Sequence, residues 1–229
     1  MYYAPRTIAF LCELLHPPLA PDPQPIQRVH NRLFEAGSPP YQSFNVTPEG
    51  TVLSNPVTRP GSVSSASFLK DRFQFREELT GETTEAFAER IKSLTTQVCQ
   101  ERQIQIFTAQ VVTVRTLINP KNFRDSRGFL KEGMFKFDGE LQALGRDPQL
   151  FGMRLVFPPT QDSPNAFTLR VESFASDSRS LFIENQGSFG PQVVARGLDE
   201  LAANVETCYA FIVDRVLPFL GNFDVRQEA

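Results

Sequence analysis

The chain opens on an alternation of apolar and more polar residues. Over 7–15, Ile8, Phe10, Cys12 and Leu14 fall on every second position. Successive side chains of a β-strand point to opposite faces, so this pattern predicts a strand with one buried face.

Two long helices are indicated by apolar residues at a spacing of three and four. Thr83 or Thr84 is suited to cap the first, which we predict over 83–102. The second is predicted from about 194 to 220, close to the end of the chain. The stripe of the first consists of Phe87, Ile91, Leu94 and Val98, and that of the second of Leu198, Leu201, Val205, Cys208, Ile212, Val216 and Phe219.

The remaining segments alternate between further strands and polar loops. A shorter helix is predicted from Pro23 or Pro25 to Gly37, and a weak one near 138–144. Loops are expected over 55–65 and 119–134. Strands are predicted at 41–46, 51–53, 68–79, 104–118, 152–157, 166–174 and 180–184.

This order of elements occurs twice. Residues 1–102 and 103–229 each contain a strand, a helix, about three more strands and a long helix. We therefore expect an α+β protein with a mainly antiparallel sheet and two long helices packed on it. Two similar β-α-β-β-β-α halves would then form one compact unit.

The strand over 104–118 ends in the sequence VRTLIN, which supplies Arg115 and Asn119, and the closing helix begins GLDEL at 197–201. This layout is similar to that of a sporadic family of uncharacterised bacterial proteins of about 230–260 residues. Its members carry an Arg-x-x-x-Asn element on a central strand. The resemblance implies a bacterial origin and no particular activity.

Composition and charge narrow the class of protein. Apolar residues make up 41% of the 229 residues, which is enough for a substantial core. The net charge of -3 argues against general binding of nucleic acids or anionic membranes, because both depend on positive charge. No apolar run is long enough to span a membrane, and residues 1–6 do not resemble a signal peptide. We expect a cytoplasmic protein.

Few residues point to catalysis or to a cofactor. Cys12, Cys99 and Cys208 are far apart and lie in apolar patterns, so we expect reduced, buried thiols. His16 and His30 are expected on the surface. No glycine-rich nucleotide loop and no nucleophile elbow occurs. We predict no cofactor, no metal site and no catalytic residue.

The best candidate site is the segment 121–131, which follows the strand over 104–118 and which we call the basic segment. Gly128 permits close approach of the backbone, and Phe123 and Phe129 are suited to anchoring the loop or stacking on a ligand. The alternative is an ordinary solvated loop with two buried phenylalanines. The candidate ligand-binding residues are Arg115, Asn119, Lys121, Arg124, Arg127 and Lys131.

Three functions remain open from the sequence. The first is a non-enzymatic binding or protein-interaction protein, expected to form homo-oligomers or to bind a protein partner. The second is a ligand-binding domain with a hydrophobic cavity between the sheet and the C-terminal helix, since the chain has 21 Phe and no Trp. The third is an enzyme that acts on a small anion through the basic segment.

Overall fold

The computed structural model describes residues 3–37, 39–137 and 139–225. Its main feature is a nine-stranded antiparallel sheet in the order β2-β3-β4-β5-β1-β7-β10-β9-β8; the short strands β6 and β11 pair separately. The strands are β1 (Arg6–Leu15), β2 (Ser43–Val46), β3 (Gly50–Ser54), β4 (Val63–Leu69), β5 (Arg72–Glu78), β6 (Ile106–Phe107), β7 (Ala109–Ile118), β8 (Gly152–Phe157), β9 (Ala166–Ser173), β10 (Leu181–Phe189) and β11 (Gln192–Val193).

Helices connect and cover the strands. They are α1 (Gln24–Glu35), α2 (Thr84–Arg102), α3 (Ser126–Gly128), α4 (Asp199–Phe211) and α5 (Leu217–Gly221). A π-helical turn, Phe129–Met134, follows α3, and a second one, Ile212–Val216, joins α4 to α5; short 3-10 turns lie at Glu140–Leu144 and Val194–Arg196. We call the stretch 199–221 the C-terminal helix. The predicted helix over 83–102 is confirmed, and the Thr83 side chain accepts a hydrogen bond from the Ala86 N–H.

The core lies on one face of the sheet. In β1, Phe10, Cys12 and Leu14 are buried, whereas Glu13 on the opposite face is half-buried. Helices α2 and α4 contact each other, and the buried residues of both belong to the same core as the strands. We call the opposite side of the sheet the open face, because α2 and α4 do not cover it.

The two parts of the chain occupy the two sides of the sheet. Strands from residues before 103 follow the order β2-β3-β4-β5-β1, and those from later residues follow β7-β10-β9-β8. The centre of the sheet is the antiparallel pair β1 and β7, in which Cys12 lies opposite Val112. The earlier part supplies five strands to this sheet and the later part four.

Two predictions of local structure were wrong. A single strand is predicted over 68–79, but the structure has a hairpin there. β4 ends at Leu69, the chain turns at Lys70 and Asp71, and β5 follows. Phe68 pairs with Phe73 across this hairpin, and the turn contains neither Gly nor Pro to mark it. The loop predicted over 119–134 contains α3. The Asp125 side chain caps this helix by accepting a hydrogen bond of 2.8 Å from the Gly128 N–H.

The weak helix predicted near 138–144 is the 3-10 turn at Glu140–Leu144. Met1, Tyr2, Ser38, Asp138 and residues 226–229 lie outside the described residues. None of the helices in the described part of the chain combines the length and the apolar character needed to cross a membrane.

His16 is not on the surface, as the sequence predicted, but is only 4% exposed. It follows β1, and its ring meets those of Phe73 and Phe107 edge-on. Its Nδ1 lies 2.8 Å from the Pro17 carbonyl oxygen, which places a proton on Nδ1. Burial lowers the pKa of His16, and the positive charge of Arg102 acts in the same direction.

We expect His16 to make stability depend on pH. Because its pKa is lower in the folded state, the unfolded chain binds the extra proton, and stability is lost as pH falls from the ordinary histidine value of 6.5 toward the lower folded pKa. One proton changes the free energy of unfolding by at most about 1.4 kcal/mol per pH unit. Urea denaturation between pH 7.5 and 5 should show this slope in the wild type.

His16→Asn should lose the slope, since the amide does not titrate and retains a donor for Pro17. His30→Asn serves as the matched control and should retain the pH dependence of the wild type. Equal slopes in the wild type and in His16→Asn would contradict this account of His16.

Candidate functional site

The six predicted site residues do not form one site. Arg115 lies in β7 on the open face, where its Nε is 2.7 Å from Glu184 Oε2. Its Nη1 is also 4.0 Å from Glu78 Oε2 of β5. Ala9 of β1 pairs with both Glu78 and Arg115, and its small side chain leaves room for them to meet across β1.

Arg115 therefore belongs to a row of alternating charges across the open face, which we call the charge ladder. Arg170 continues the row from Glu184 at 3.6 Å to Glu172 at 2.9 Å. The whole ladder consists of Arg76, Glu78, Arg115, Glu184, Arg170 and Glu172. The charge of Arg115 is thus matched by carboxylates within the protein.

The carboxylates at 77 and 78 show how the sheet separates its two faces. Glu78 is part of the charge ladder, whereas Glu77 points into the protein and pairs there with Arg90 of α2. The Ser64 hydroxyl donates to Glu77 at 2.8 Å. Burial raises the pKa of Glu77, and the hydrogen bond from Ser64 and the charge of Arg90 oppose that shift. This pair ties α2 to the sheet.

Asn119 lies just beyond the end of β7. Its Oδ1 is 3.0 Å from the Ser180 hydroxyl, which is also 2.6 Å from Asp177 Oδ2. Arg6 of β1 donates to the same hydroxyl at 2.9 Å. Asn119 thus takes part in a polar cluster that joins the start of β1, the end of β7 and the residue before β10.

The basic segment is fixed at its start by Asp224, a residue only 2% exposed. The backbone N–H groups of Lys121 and Asn122 donate to its two carboxylate oxygens at 2.7 and 2.8 Å. The Tyr3 hydroxyl donates to it at 2.8 Å. Sequence reasoning missed Asp224, because a single carboxylate in a polar C-terminal stretch gives no signal of what it contacts.

The other three predicted residues come together. A shallow pocket of about 290 Å³ is lined by Arg124, Arg127 and Lys131 along with two carboxylates, Asp125 and Glu132. Arg127 donates to the Pro148 carbonyl at 2.8 Å, and its guanidinium carbon lies 5.8 Å from the centre of the Phe151 ring. Arg127 therefore has a structural role as well as a place in this pocket.

A larger cavity of about 720 Å³ lies between the outer strands and the C-terminal helix, and we call it the groove. Phe167 of β9 and Phe211 of α4 stack at its base, with ring centres 4.7 Å apart. Phe157 of β8 meets Phe211 edge-on at 5.4 Å. The groove is lined by Leu155, Phe157, Pro158, Thr160, Ser163, Asn165, Phe167, Leu169, Phe211, Arg215, Val216 and Phe219.

The groove exists because β8 lies at the edge of the sheet. Leu155 and Phe157 pair with Leu169 and Phe167 of β9, so they point to the core side. Leu169 is buried, but Leu155 and Phe157 remain 37% and 38% exposed. Core-facing side chains of the last strand are thus left partly in water.

The helical wall of the groove is shaped by Pro218. Proline has no N–H and its ring collides with the carbonyl four residues earlier, which here belongs to Asp214. The helix widens into the π-helical turn Ile212–Val216 just before this proline. Arg215 and Val216 of that turn line the groove.

Arg215 is the one charged group among the described residues that line the groove. It is exposed, and no described residue forms an ion pair or hydrogen bond with its side chain. Thr160, Ser163 and Asn165 add polar groups at the rim. The groove can therefore bind an apolar group and still offer a positive charge to a carboxylate.

The three cysteines are buried, as the sequence predicted. Burial raises the pKa of Cys12, Cys99 and Cys208 to about 12, so all three stay protonated and unreactive near neutral pH. In the described residues, no group of three or more His, Cys, Asp or Glu side chains is placed to hold a metal ion.

Comparison with known proteins adds no relative: no family model matches the chain, and no curated protein matches it.

We expect Asp224 to be a main anchor of the C-terminal segment. Asp224→Ala would leave the backbone N–H groups of Lys121 and Asn122 and the buried Tyr3 hydroxyl without this acceptor. A loss of about 3 kcal/mol in the free energy of unfolding should follow, measured by urea denaturation. The exposed Asp214→Ala is the matched control and should change it by less than about 0.5 kcal/mol. A loss equally small for Asp224→Ala would show that this anchor is unimportant.

Proposed function

We propose that this chain is a non-enzymatic binding protein that holds an apolar ligand or polypeptide segment in the groove between β8, β9 and the C-terminal helix. The observation that carries the proposal is the groove itself, with Leu155, Phe157 and Phe219 partly exposed along it. Its volume of about 720 Å³ lies within the range of known ligand sites, about 300–1,000 Å³.

The chemistry of the lining supports binding rather than catalysis. General acid–base catalysis needs a group that exchanges a proton near neutral pH, and nucleophilic catalysis needs an activated nucleophile. The one charged residue among the described lining residues is an arginine, a residue type that does not serve as a proton donor or acceptor near neutral pH. The hydroxyls of Thr160 and Ser163 have no described histidine or carboxylate beside them in the lining.

A neutral apolar dye tests this function. Nile red should bind the wild-type protein with a rise in fluorescence, and Leu155→Glu should weaken binding by at least about tenfold, because it places a charge in the apolar site. Val57→Glu is the matched control: it introduces the same change at a valine that is exposed outside the groove. It should bind the dye like the wild type.

Two results would overturn the proposal. One is a wild-type protein that does not bind Nile red at all. The other is equal binding by Leu155→Glu and the wild type, with both proteins folded as judged by circular dichroism.

A second candidate function is binding of a small anion at the pocket lined by Arg124, Arg127 and Lys131. Their convergence on one pocket favours it, and an enzyme acting on such an anion stays an alternative for the same place. Asp125 and Glu132 partly offset the positive charge.

Sulfate distinguishes an anion site from an ordinary loop. At ten times its Kd, sulfate should raise the Tm of the wild type by about 2–5 °C above sodium chloride of equal ionic strength. The double variant Arg124→Ala/Lys131→Ala should lose this shift; Arg127 is left in place because it bonds to Pro148. If both proteins respond alike, the segment binds no anion specifically.

We also propose that residues 1–102 and 103–229 are two related halves that form one compact unit. The central pairing of β1 with β7, and the run of each part's strands outward from that pair, support this proposal. The unequal strand counts and the three-residue α3 in place of a second α1 are the main departures from symmetry. Membership of the sporadic bacterial family stays a prediction.

The remaining proposals concern the cellular compartment and the binding partners. Three buried, unpaired thiols support a reducing compartment such as the cytoplasm. The exposed apolar groove supports a protein partner or a second copy of the chain as well as a small apolar ligand.

A further inference from the structure

We propose that β8 pairs with an extended polypeptide that adds a tenth strand to the sheet, and that this strand alternates apolar with acidic side chains. The proposal rests on the function proposed above, since it places the apolar side chains of the added strand in the groove. It goes further in naming the chemistry of the partner and its manner of binding.

The first argument is the state of the β8 edge. β8 has six residues and pairs with β9 without a break from Gly152 to Phe157, while no strand in the described part of the chain pairs with its outer side. Exposed edges are usually blunted by charged side chains, proline, a bulge or a short strand. β8 contains no proline and no bulge, and Arg154 is its one charged residue, whereas β2 at the other edge is only four residues long.

The second argument is the apolar side of β8. Met153, Leu155 and Phe157 point to the groove side, as their partners on β9 do. A strand added beside β8 would direct every second side chain to that same side. There those side chains would contact Phe211 and Phe219, which line the groove from the helix.

The third argument is the charge on the other side of β8. Arg154 lies directly opposite Arg170 on the open face. Glu172 and Glu184 match Arg170 within the charge ladder, but no carboxylate in the described part of the chain pairs with Arg154. Like charges opposite one another destabilise a sheet, and an opposite charge on the next strand stabilises it.

A carboxylate on an added strand would therefore extend the charge ladder by one step. The side chains that alternate with those in the groove point to the open face, so an acidic residue at such a position would face Arg154. The two sides of β8 together define a segment with apolar and acidic residues at alternate positions.

A second copy of this chain fits this edge less well. Two β8 strands related by a two-fold axis overlap best when centred on Leu155 or Arg154. The first arrangement places the two Arg154 side chains diagonally across from each other, and the second places them directly opposite. Self-pairing would thus add a positive charge where the edge lacks a negative one.

Labelled peptides test the proposal by fluorescence anisotropy. The probe is a fluorescein-labelled seven-residue peptide in which Leu or Val alternates with Glu; the comparison peptides carry Lys in place of Glu, or the same residues with the glutamates grouped together. The wild type should bind the alternating Glu peptide about fivefold more tightly than either comparison peptide.

Reversing the charge of Arg154 provides the sharpest control. Arg154→Glu should bind the Lys peptide more tightly than the Glu peptide, which is a gain that a folding defect would not produce. Arg196→Glu makes the same charge change at an exposed arginine that lies outside both the groove and the pocket of the basic segment. It should keep the preference of the wild type.

Pairing through the backbone has its own test. Methylation of alternate backbone nitrogens in the Glu peptide removes the donors along one edge, and at least one of the two alternate sets should weaken binding by about tenfold or more. Full binding by both methylated peptides would overturn strand pairing. So would equal binding of the Glu and Lys peptides, or a wild type that elutes as a dimer and binds no peptide.

The two proposals fail in different ways. If Leu155→Glu reduces Nile red binding but no peptide binds, the groove function stands and the strand inference is wrong. If neither the dye nor any peptide binds the wild type, both are wrong.

Discussion

The structure depends on how far the helices extend over a sheet that is nine strands wide. They cover one face, and at the last strand, β8, the C-terminal helix contacts Phe157 through Phe211 but leaves Leu155 and Phe157 partly exposed. Because the core lies on that face, a central strand such as β1 directs its large buried side chains to one side and partly exposed side chains to the other. Phe10 and Glu13 of β1 show this separation at the centre of the sheet. At β8 the helical cover is incomplete, so Leu155 and Phe157, which face the core side, remain partly exposed to water.

The two faces are stabilised by different physical effects. The covered face relies on burial of apolar side chains, to which the Glu77–Arg90 pair adds a charged link between sheet and helix. The open face carries the charge ladder, in which Arg115 of β7 lies between Glu78 of β5 and Glu184 of β10. Both effects are weakest at β8. Its apolar side chains are only partly covered by the C-terminal helix, and Arg154 forms no ion pair with a carboxylate among the described residues. A partner that binds at this edge would bury apolar side chains and match the charge of Arg154 at the same time.

Much of the fold could be predicted from the sequence because local patterns reflect burial. β1 and α2 were predicted closely, since alternation and helical spacing depend only on which face is buried. The hairpin turn at Lys70 and Asp71 was missed, because it contains neither Gly nor Pro and lies between two apolar stretches.

The candidate site was harder to predict because it depends on contacts between distant parts of the chain. Nothing near Arg115 in sequence indicates that Glu78 and Glu184 match its charge, and nothing near Lys121 indicates Asp224. The groove follows from the order of the strands, which places β8 at an edge. Amide hydrogen exchange measured by mass spectrometry tests this central claim most directly. With the alternating Glu peptide bound, exchange should slow in residues 152–157 and in the C-terminal helix, and should not change in β2. Protection confined to β2 or to the basic segment at 121–131, or no protection at all, would contradict the account.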